Sequence, residues 1–319
     1  MGLVVAVTAG LGSLLPETAG RAGAVRPHLS GVPLTATAQR RRATALMIAT
    51  AAVTALGAAT AHADTAHADS PGGWVRTGSS TVNSVTGGEG IATRADGSLL
   101  TRGLGSIPLS LRAAGWNHIG DPDIAGGYVF DAYQGGDSAT SKMFEVTTPD
   151  GKAYSYTHPL DGGELLNNSF DAVSPDAQWL VAGEWNTMSR LQVFPAPVTN
   201  PSTPATGGTL AQAGQITLSQ SVSDIQGCDF VSATRLVCAS DDAAKDVIQV
   251  DLPHALDGTP VTGQVSTLFQ VPRSSICSGT FESEGIDYDP NAAVLRVEIV
   301  PPSVCEVSTT IYTYKPATS

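Results

Sequence analysis

The stretch EGIDYDPNAAVLRVEIV, Glu284–Val300, opens on an acid, runs through a short strand, turns at Asp289-Pro290-Asn291 and enters a second apolar run. Alternation of apolar and polar residues marks strands, and Asp, Asn, Pro or Gly marks the tight turn between them. Four other segments follow the same plan: EGIATRADGSLLTRG from Glu89, DPDIAGGYVFDAY from Asp121, DAVSPDAQWLVAGEW from Asp171 and DFVSATRLVCAS from Asp229. A third strand follows in SKMFEVTTP, SRLQVFPAP, DVIQVDLP and TTIYTYKP, each ending on a proline that cannot extend a ladder. A fourth follows in KAYSYTH, GQITLSQ and GQVSTLFQ.

Four strands, a loop and the next acid make one blade of a β-propeller. From Asp121 onward the acids are 50, 58 and 55 residues apart, longer than the about 40–45 residues of WD-type repeats, so the loops are long. The last module has only three strands before the chain stops at Ser319, whereas WVRTGSS, Trp74–Ser80, is a spare strand ahead of the first acid. Supplying the missing outer strand from the N-terminal side closes the ring and removes its edges. The chain is expected to be all-β: a propeller of five four-stranded blades, with the N-terminal strand closing the last. Only 32 residues separate Glu89 from Asp121, so SIPLSLRAAGW must serve as an abridged outer half of the first blade. A distorted sandwich is the alternative arrangement of the same strands. Pro195–Gly214, rich in Pro, Thr, Gly and Ala, is expected as an exposed excursion between third and fourth strands.

Ahead of the repeat, QRRRATALMIATAAVTALGAATAHA carries three arginines, about eighteen small or apolar residues and the small-x-small end Ala61-His62-Ala63. That is the plan of a secretory signal. A second such end, Ala66-His67-Ala68, allows cleavage after either Ala63 or Ala68. A membrane anchor is the alternative, but the run is weakly apolar and short of the roughly 20 residues a span needs. Residues 1–63 are therefore expected to be an early-started extension plus signal, and residues 64–319 a single exported domain. Residues 1–63 hold five of the 17 basic and one of the 29 acidic residues, leaving 12 against 28, a net charge near −16. Such a surface disfavours nucleic acid and anionic lipid and favours cations. The expected partner is a small molecule or glycan in the central channel, with no nucleic acid and no membrane after cleavage, and the protein is expected to be a monomer. Four cysteines in an exported chain imply two disulfides. Of three pairings, the local one, Cys228 with Cys238 and Cys277 with Cys305, suits the hairpins.

Strand starts on a propeller's inner edge face the central channel. Glu89, Asp121, Asp171, Asp229 and Glu284 would then converge on one axis, and converging carboxylates raise each other's pKa unless a cation neutralises them. A hard ion such as Ca²⁺, which takes carboxylate and carbonyl oxygens, is the matching ligand. The competing reading is that each acid caps the turn into its strand through backbone N–H groups.

The two EGI tripeptides, Glu89-Gly90-Ile91 and Glu284-Gly285-Ile286, give the chain a resemblance to secreted bacterial propellers related to the SMP-30, gluconolactonase and paraoxonase group. That resemblance implies a glutamate opening the first inner strand, with further oxygen ligands, holding a divalent ion that polarises a lactone or ester carbonyl. The positions matching those ligands are Glu89, Asp121, Asp171, Asp229 and Glu284. The chain departs from the group in blade count and in lacking evident asparagine ligands. NHIGDPD, Asn117–Asp123, is similar to an element of uncharacterised secreted proteins.

His118, three residues before Asp121, is the candidate catalytic base or further ligand, its ordinary pKa near 6.5 placing it usefully; a hydrogen-bonded loop imidazole is the alternative. His158 and His254 read as structural or exposed. Glu184-Trp185 reads as a sugar platform or as packing between blades. Serine-hydrolase, zincin and phosphate-loop motifs do not occur. Three functions remain open: a metal-dependent lactone or ester hydrolase, a non-catalytic propeller binding protein or glycan, and a glycoside-acting enzyme with paired carboxylates. An aromatic content of 6% weighs against the last.

Overall fold

The computed structural model describes residues 73–167 and 169–317. The expected signal, both cleavage points and the start of the exported chain lie outside the described residues. Strand β1 (Trp74–Asn83) leads into a one-turn helix α1 (Ser84–Gly87), then a hairpin of β2 (Gly90–Thr93) and β3 (Leu99–Arg102). A 3-10 turn (Leu104–Ser106) and helix α2 (Leu109–Ala113) follow. The stretch expected to form the outer half of the first blade is therefore helical, and the first module keeps two strands. Its short apolar run has room for one helical turn after Pro108 but not for two paired strands.

The second module comprises β4 (His118–Ile119), β5 (Asp123–Ala125), β6 (Tyr128–Gln134), β7 (Ser141–Thr147) and β8 (Ala153–Pro159). The third has β9 (Ala172–Val173), β10 (Trp179–Ala182) and β11 (Thr187–Pro195), then a detour through β12 (Gly208–Thr209) before β13 (Gly214–Ser223). The fourth is β14 (Ile225–Ser232), β15 (Arg235–Ser240), β16 (Asp246–Asp251) and β17 (Val261–Gln270). The fifth is β18 (Glu282–Asp289), β19 (Val294–Val300) and, after a 3-10 turn (Ser303–Val307), β20 (Ser308–Pro316).

Within each module the strands pair antiparallel in chain order from an inner to an outer edge, and β1 pairs with β20 as the fourth strand of the last one. Inner strands adjoin in a closed circuit, β2 beside β5, β5 beside β9, β9 beside β14, β14 beside β18, and β18 beside β2. A sandwich has no such circuit, so the fold is a β-propeller, with four four-stranded units and one two-stranded hairpin. The outer strands β13 and β17 also pair, in parallel, which merges the third and fourth modules into one eight-stranded sheet.

Apolar cores lie between successive modules, as side chains from facing sheets interdigitate. Phe130, Phe144 and Tyr156 of the second module meet Leu180 and Phe194 of the third. Leu191 and Ile216 meet Leu236 and Val250 of the fourth. Val237 and Phe269 meet Leu295 and Tyr314 of the fifth, where Trp74 packs edge-on to Tyr288. The detour between β11 and β13 does not hang in solvent as expected: β12 pairs in parallel with β8, and Leu210 is buried. Its backbone completes the exposed edge of the second module, and Leu210 fills the core beneath.

Both disulfides form as the local pairing expected, Cys228–Cys238 across directly opposed residues and Cys277–Cys305 between loops flanking β18 and β19. Replacing Leu295, fully buried at the seam of the fourth and fifth modules, by Ala should cost about 2–5 kcal/mol. Urea denaturation of the variant checks it.

Candidate axial carboxylate site

Asp121 sits fully buried on the axis. Its Oδ1 accepts the Ile91 N–H (2.8 Å) and its Oδ2 the Ile286 N–H (3.0 Å), so one carboxylate ties the first and fifth modules to the second. Those two amides belong to the two EGI tripeptides. Their glycines make the approach possible: a Cβ on Gly90 would lie 2.7 Å from Asp121 Oδ1, and one on Gly285 would lie 2.5 Å from the same oxygen. Gly227 of the fourth module likewise faces Oδ2. Three glycines at one level thus leave the axis to a single side chain, and Asp121 fills it.

Three other aspartates repeat a single inter-module bond. Asp123 Oδ2 accepts Val173 N–H (2.5 Å), Asp229 Oδ2 accepts Tyr288 N–H (2.6 Å), and Asp287 Oδ1 accepts Thr93 N–H (2.7 Å). Each joins one module to the next, so Asp123, Asp229 and Asp287 are the equivalent positions of the inner strands. Two residues before them stand Asp121, Gly227 and Gly285; five residues after each glycine's acid the pattern has already passed into the turn. The acids expected at one level are therefore staggered. Glu89 and Glu284, each just before a level glycine, stand at one height, with Asp121, Asp171 and Asp229 successively further along. Among them Asp121 and Asp229 engage backbone amides with both oxygens, since Asp229 Oδ1 also accepts Phe230 N–H (2.6 Å).

The fifth-to-first seam is polar. The second oxygen of Asp287 takes the Thr93 hydroxyl (2.6 Å) and the Arg296 guanidinium (2.8 Å), and Arg296 also donates to Thr93 Oγ1. Above it lies a group of glutamates. The pairing of β18 with β19 slips between Ser283 and Ile286, so Glu284 and Gly285 form a bulge opposite Glu298. Bulges re-aim side chains in this way. Glu298 is fully buried, and no side chain pairs with either carboxylate oxygen. Burial drives its pKa well up and Glu89 adds to the rise, while the nearby Gly285 amide draws it partly back. Burial also raises Glu284 well above the usual range, reinforced by Glu89, Glu282, Asp241 and Glu298. Glu89 is pushed up to about 8, by burial first and then by Glu282. Glu298 gave no signal in the repeat, because it lies on a returning strand; an acid in the apolar run VLRVEIV is the feature that marks it.

His118 stands at the rim, half-buried, with Nδ1 3.8 Å from Glu89 Oε2. Its strand β4 pairs with the end of β6, which aims the ring toward the first module. Asp171 is buried with no side-chain hydrogen bond, and burial, Asp131 and Asp123 push its pKa well up against the nearby Asp123 amide and Arg102. It lies beside the Arg102–Asp131 pair, in which Arg102 donates through Nε (2.5 Å) and Nη2 (2.9 Å). Asp123 is pushed up to about 7 by burial, with Asp287 adding to the rise against two amide bonds.

Away from the axis, His158, Asp161 and Glu164 bring one ligand-type atom each within 4.8 Å of one another, so this group could hold an ion; it is the set of that spacing among the described residues. Glu164 already has other partners there: Oε2 meets His158 Nε2 (3.0 Å) and the Asp161 N–H (3.0 Å), and Oε1 meets the buried Lys142 ammonium (3.0 Å). These partners hold its pKa below the usual carboxylate range despite burial. His158 Nδ1 faces Leu210 O (2.9 Å), so the histidine pins the β11–β13 detour, and His254 is exposed. Glu184 pairs with Arg190 (2.7 Å) and accepts the Leu165 N–H, beside an open cavity of about 280 Å³.

No protein-family model matches the chain, and no curated protein matches it in sequence. Solved structures to which it is similar include a periplasmic gluconolactonase of Pseudomonas aeruginosa (14% identity, 51% of this chain and 44% of that one, TM-score 0.32). Others are the β-propeller domain of the trilobed protease of Pyrococcus furiosus, described as having an open velcro topology (11%, 64% and 56%, 0.31), and a DUF4623 family protein of Bacteroides eggerthii (10%, 63% and 59%, 0.31). The chain spans less than two thirds of each of these chains. The propeller assignment rests on its own strand order and inner circuit.

Asp121→Ala, which strands two buried amides, should cost about 2–5 kcal/mol, and Asp121→Asn, which keeps an acceptor, should cost less; chemical denaturation of both checks the order. A carboxyl whose folded pKa is raised stabilises the fold below its unfolded pKa and loses that contribution as pH rises through the folded value. For Glu89 the loss runs from its ordinary 4.5 to about 8, and for Asp123 from 3.8 to about 7. Glu164 acts in the opposite sense, but its contribution is lost only as pH falls below the ordinary carboxylate range. With chelator present, the melting temperature should therefore fall as pH rises from about 4.5 to about 8, and Glu89→Gln should flatten the decline.

Proposed function

We propose that the protein is a secreted, monomeric propeller that binds a divalent cation, Ca²⁺ by its oxygen donors, at the axial mouth formed by Glu89, Glu284 and Glu298. The observation that carries this reading is Glu298, which is fully buried at the Glu284 bulge with no cationic or side-chain partner, only the Gly285 amide lying near its carboxylate. Buried carboxylates without partners are costly unless they stay protonated or a cation neutralises them. A set made only of carboxylates suits a hard ion. Of the five acids first considered as ligands, Glu89 and Glu284 remain the candidates; the amide bonds of Asp121 and Asp229 support a structural role, and Asp171 lies deeper, beside Arg102 and Asp131. Because Asp121 fills the axis, a small molecule or glycan would be held at the mouth and would not pass through the ring. Two disulfides fit an oxidising compartment, and no helix among the described residues is long and apolar enough to cross a membrane.

A hydrolase reading is favoured by one further contact, the approach of His118 to Glu89 at the same rim. A bound divalent ion would supply polarisation of a lactone or ester carbonyl. In that case Glu89 would orient the His118 ring, and His118 would take a proton from the attacking water.

Calcium titration of the purified protein near pH 8, followed by melting temperature and calorimetry, tests the cation site. Stabilisation by Ca²⁺, its reversal by chelator and its loss in Glu298→Gln are expected. Glu298→Gln should also be at least as stable as the parent without calcium, because it removes a buried acid. No shift with Ca²⁺, or an unchanged shift in Glu298→Gln, would overturn the reading. For the hydrolase, a panel of lactones and aryl esters should show turnover that His118→Ala reduces by at least about tenfold, a barrier increase near 1.4 kcal/mol.

A further inference from the structure

The same end of the ring carries an apolar surface that the cation reading does not use. Helix α1 runs directly into Glu89, and the loop 271–281 runs directly into Glu282 and Glu284. The 3-10 turn Ser303–Val307 follows the end of β19. Val85 on α1, Leu104 on the 3-10 turn that follows β3, Ile276, Val304 and Val307 are exposed large apolar residues on these three pieces and that turn, Val304 at 80% and Val307 at 66%. The pieces adjoin: α1 packs beside both 3-10 turns, Gly105 lies against Val85, and Ser84 Oγ is 2.8 Å from Thr309 Oγ1. The Cys277–Cys305 disulfide joins the loop bearing Ile276 to the turn bearing Val304. The disulfide thereby keeps Ile276 and Val304 on neighbouring pieces, and a contiguous exposed apolar patch marks an interaction site where scattered single residues would not.

Charge decides the partner. Exposed Glu282 and Glu306 border the apolar residues. The neighbouring cations are engaged: Lys245 with Asp241, Arg296 with Asp287, and Arg102 with Asp131. Arg273, on the same loop, has its guanidinium on Ala243 O. An apolar patch rimmed by acids complements a segment whose large apolar side chains alternate with lysine or arginine. We infer that this rim is a docking surface for a cationic, amphipathic peptide segment of a partner protein.

A short peptide of Lys and Leu in amphipathic order, titrated calorimetrically onto the purified protein, is the probe. Two peptides of equal length serve as controls, one of Lys with Ser and one of Glu with Leu. The Lys/Leu peptide should bind at least about tenfold more tightly than either control. Val304→Ser with Val307→Ser should weaken it by a similar factor, and so should Glu306→Lys. Asp257→Lys, a charge reversal on a distant exposed loop, should leave it unchanged; all four residues are exposed, so unchanged melting temperatures verify folding. Equal binding of the Lys/Leu and Lys/Ser peptides would overturn the inference by showing a charge effect alone. So would indifference to the valine substitutions, equal weakening by Asp257→Lys, or sedimentation showing that the patch is covered by a second copy. Calcium response is read separately, so failure here does not touch the cation site.

Discussion

One carboxylate holds the axis. Asp121 accepts an amide from the first module and another from the fifth, while its own backbone lies beside Phe170 of the third. Modules far apart in sequence converge on it only because Gly90, Gly227 and Gly285 carry no Cβ at that level. A side chain at any of these positions would collide with the aspartate, and the inner strands would have to retreat from the axis. The close approach is what lets so short a ring of inner strands shut without a wide channel.

The seams around this centre are not alike. Those joining the second to the third, the third to the fourth and the fourth to the fifth modules are apolar, with aromatic and branched side chains from both sides. The seam joining the fifth to the first is carried by Asp287, Thr93, Arg296 and the carboxylate of Asp121. The first module has two strands and correspondingly little apolar surface to offer. Directional polar bonds replace area there, and β1 supplies closure from the other side by pairing along β20. The glutamates lie above this polar seam, where low packing area and an acidic lining coincide.

The hairpins, the order of strands within modules, the N-terminal strand on β20 and both disulfides were legible from local alternation, turn residues and cysteine position. Such features depend on neighbours in sequence. The heights of the acids were not. Reading Glu89, Asp121, Asp171, Asp229 and Glu284 as equivalent aligned the first acid of each segment, whereas the structural repeat is the aspartate two residues beyond the axial glycine, as in Gly227-Cys228-Asp229 and Gly285-Ile286-Asp287. A slip of one residue turns a strand's side chains to the other face, so an error of this size changes which acids meet. The pairing of β12 with β8 was hidden for a related reason, because it depends on an edge offered by a distant segment.

By itself, the sequence determined an all-β chain of hairpin modules, an acidic surface, a ring closed by its own N-terminal strand and a set of acids near strand starts. Each of these follows from period, composition or spacing. Only the tertiary structure decided which acids are spent on backbone amides and which are left without partners. Asp229 and Glu284 look alike along the chain, yet one meets the Tyr288 amide and the other a bulge facing Glu298. The difference comes from register between modules, which no single strand encodes, and from burial, which turns an unpartnered carboxylate into a place for a proton or a cation.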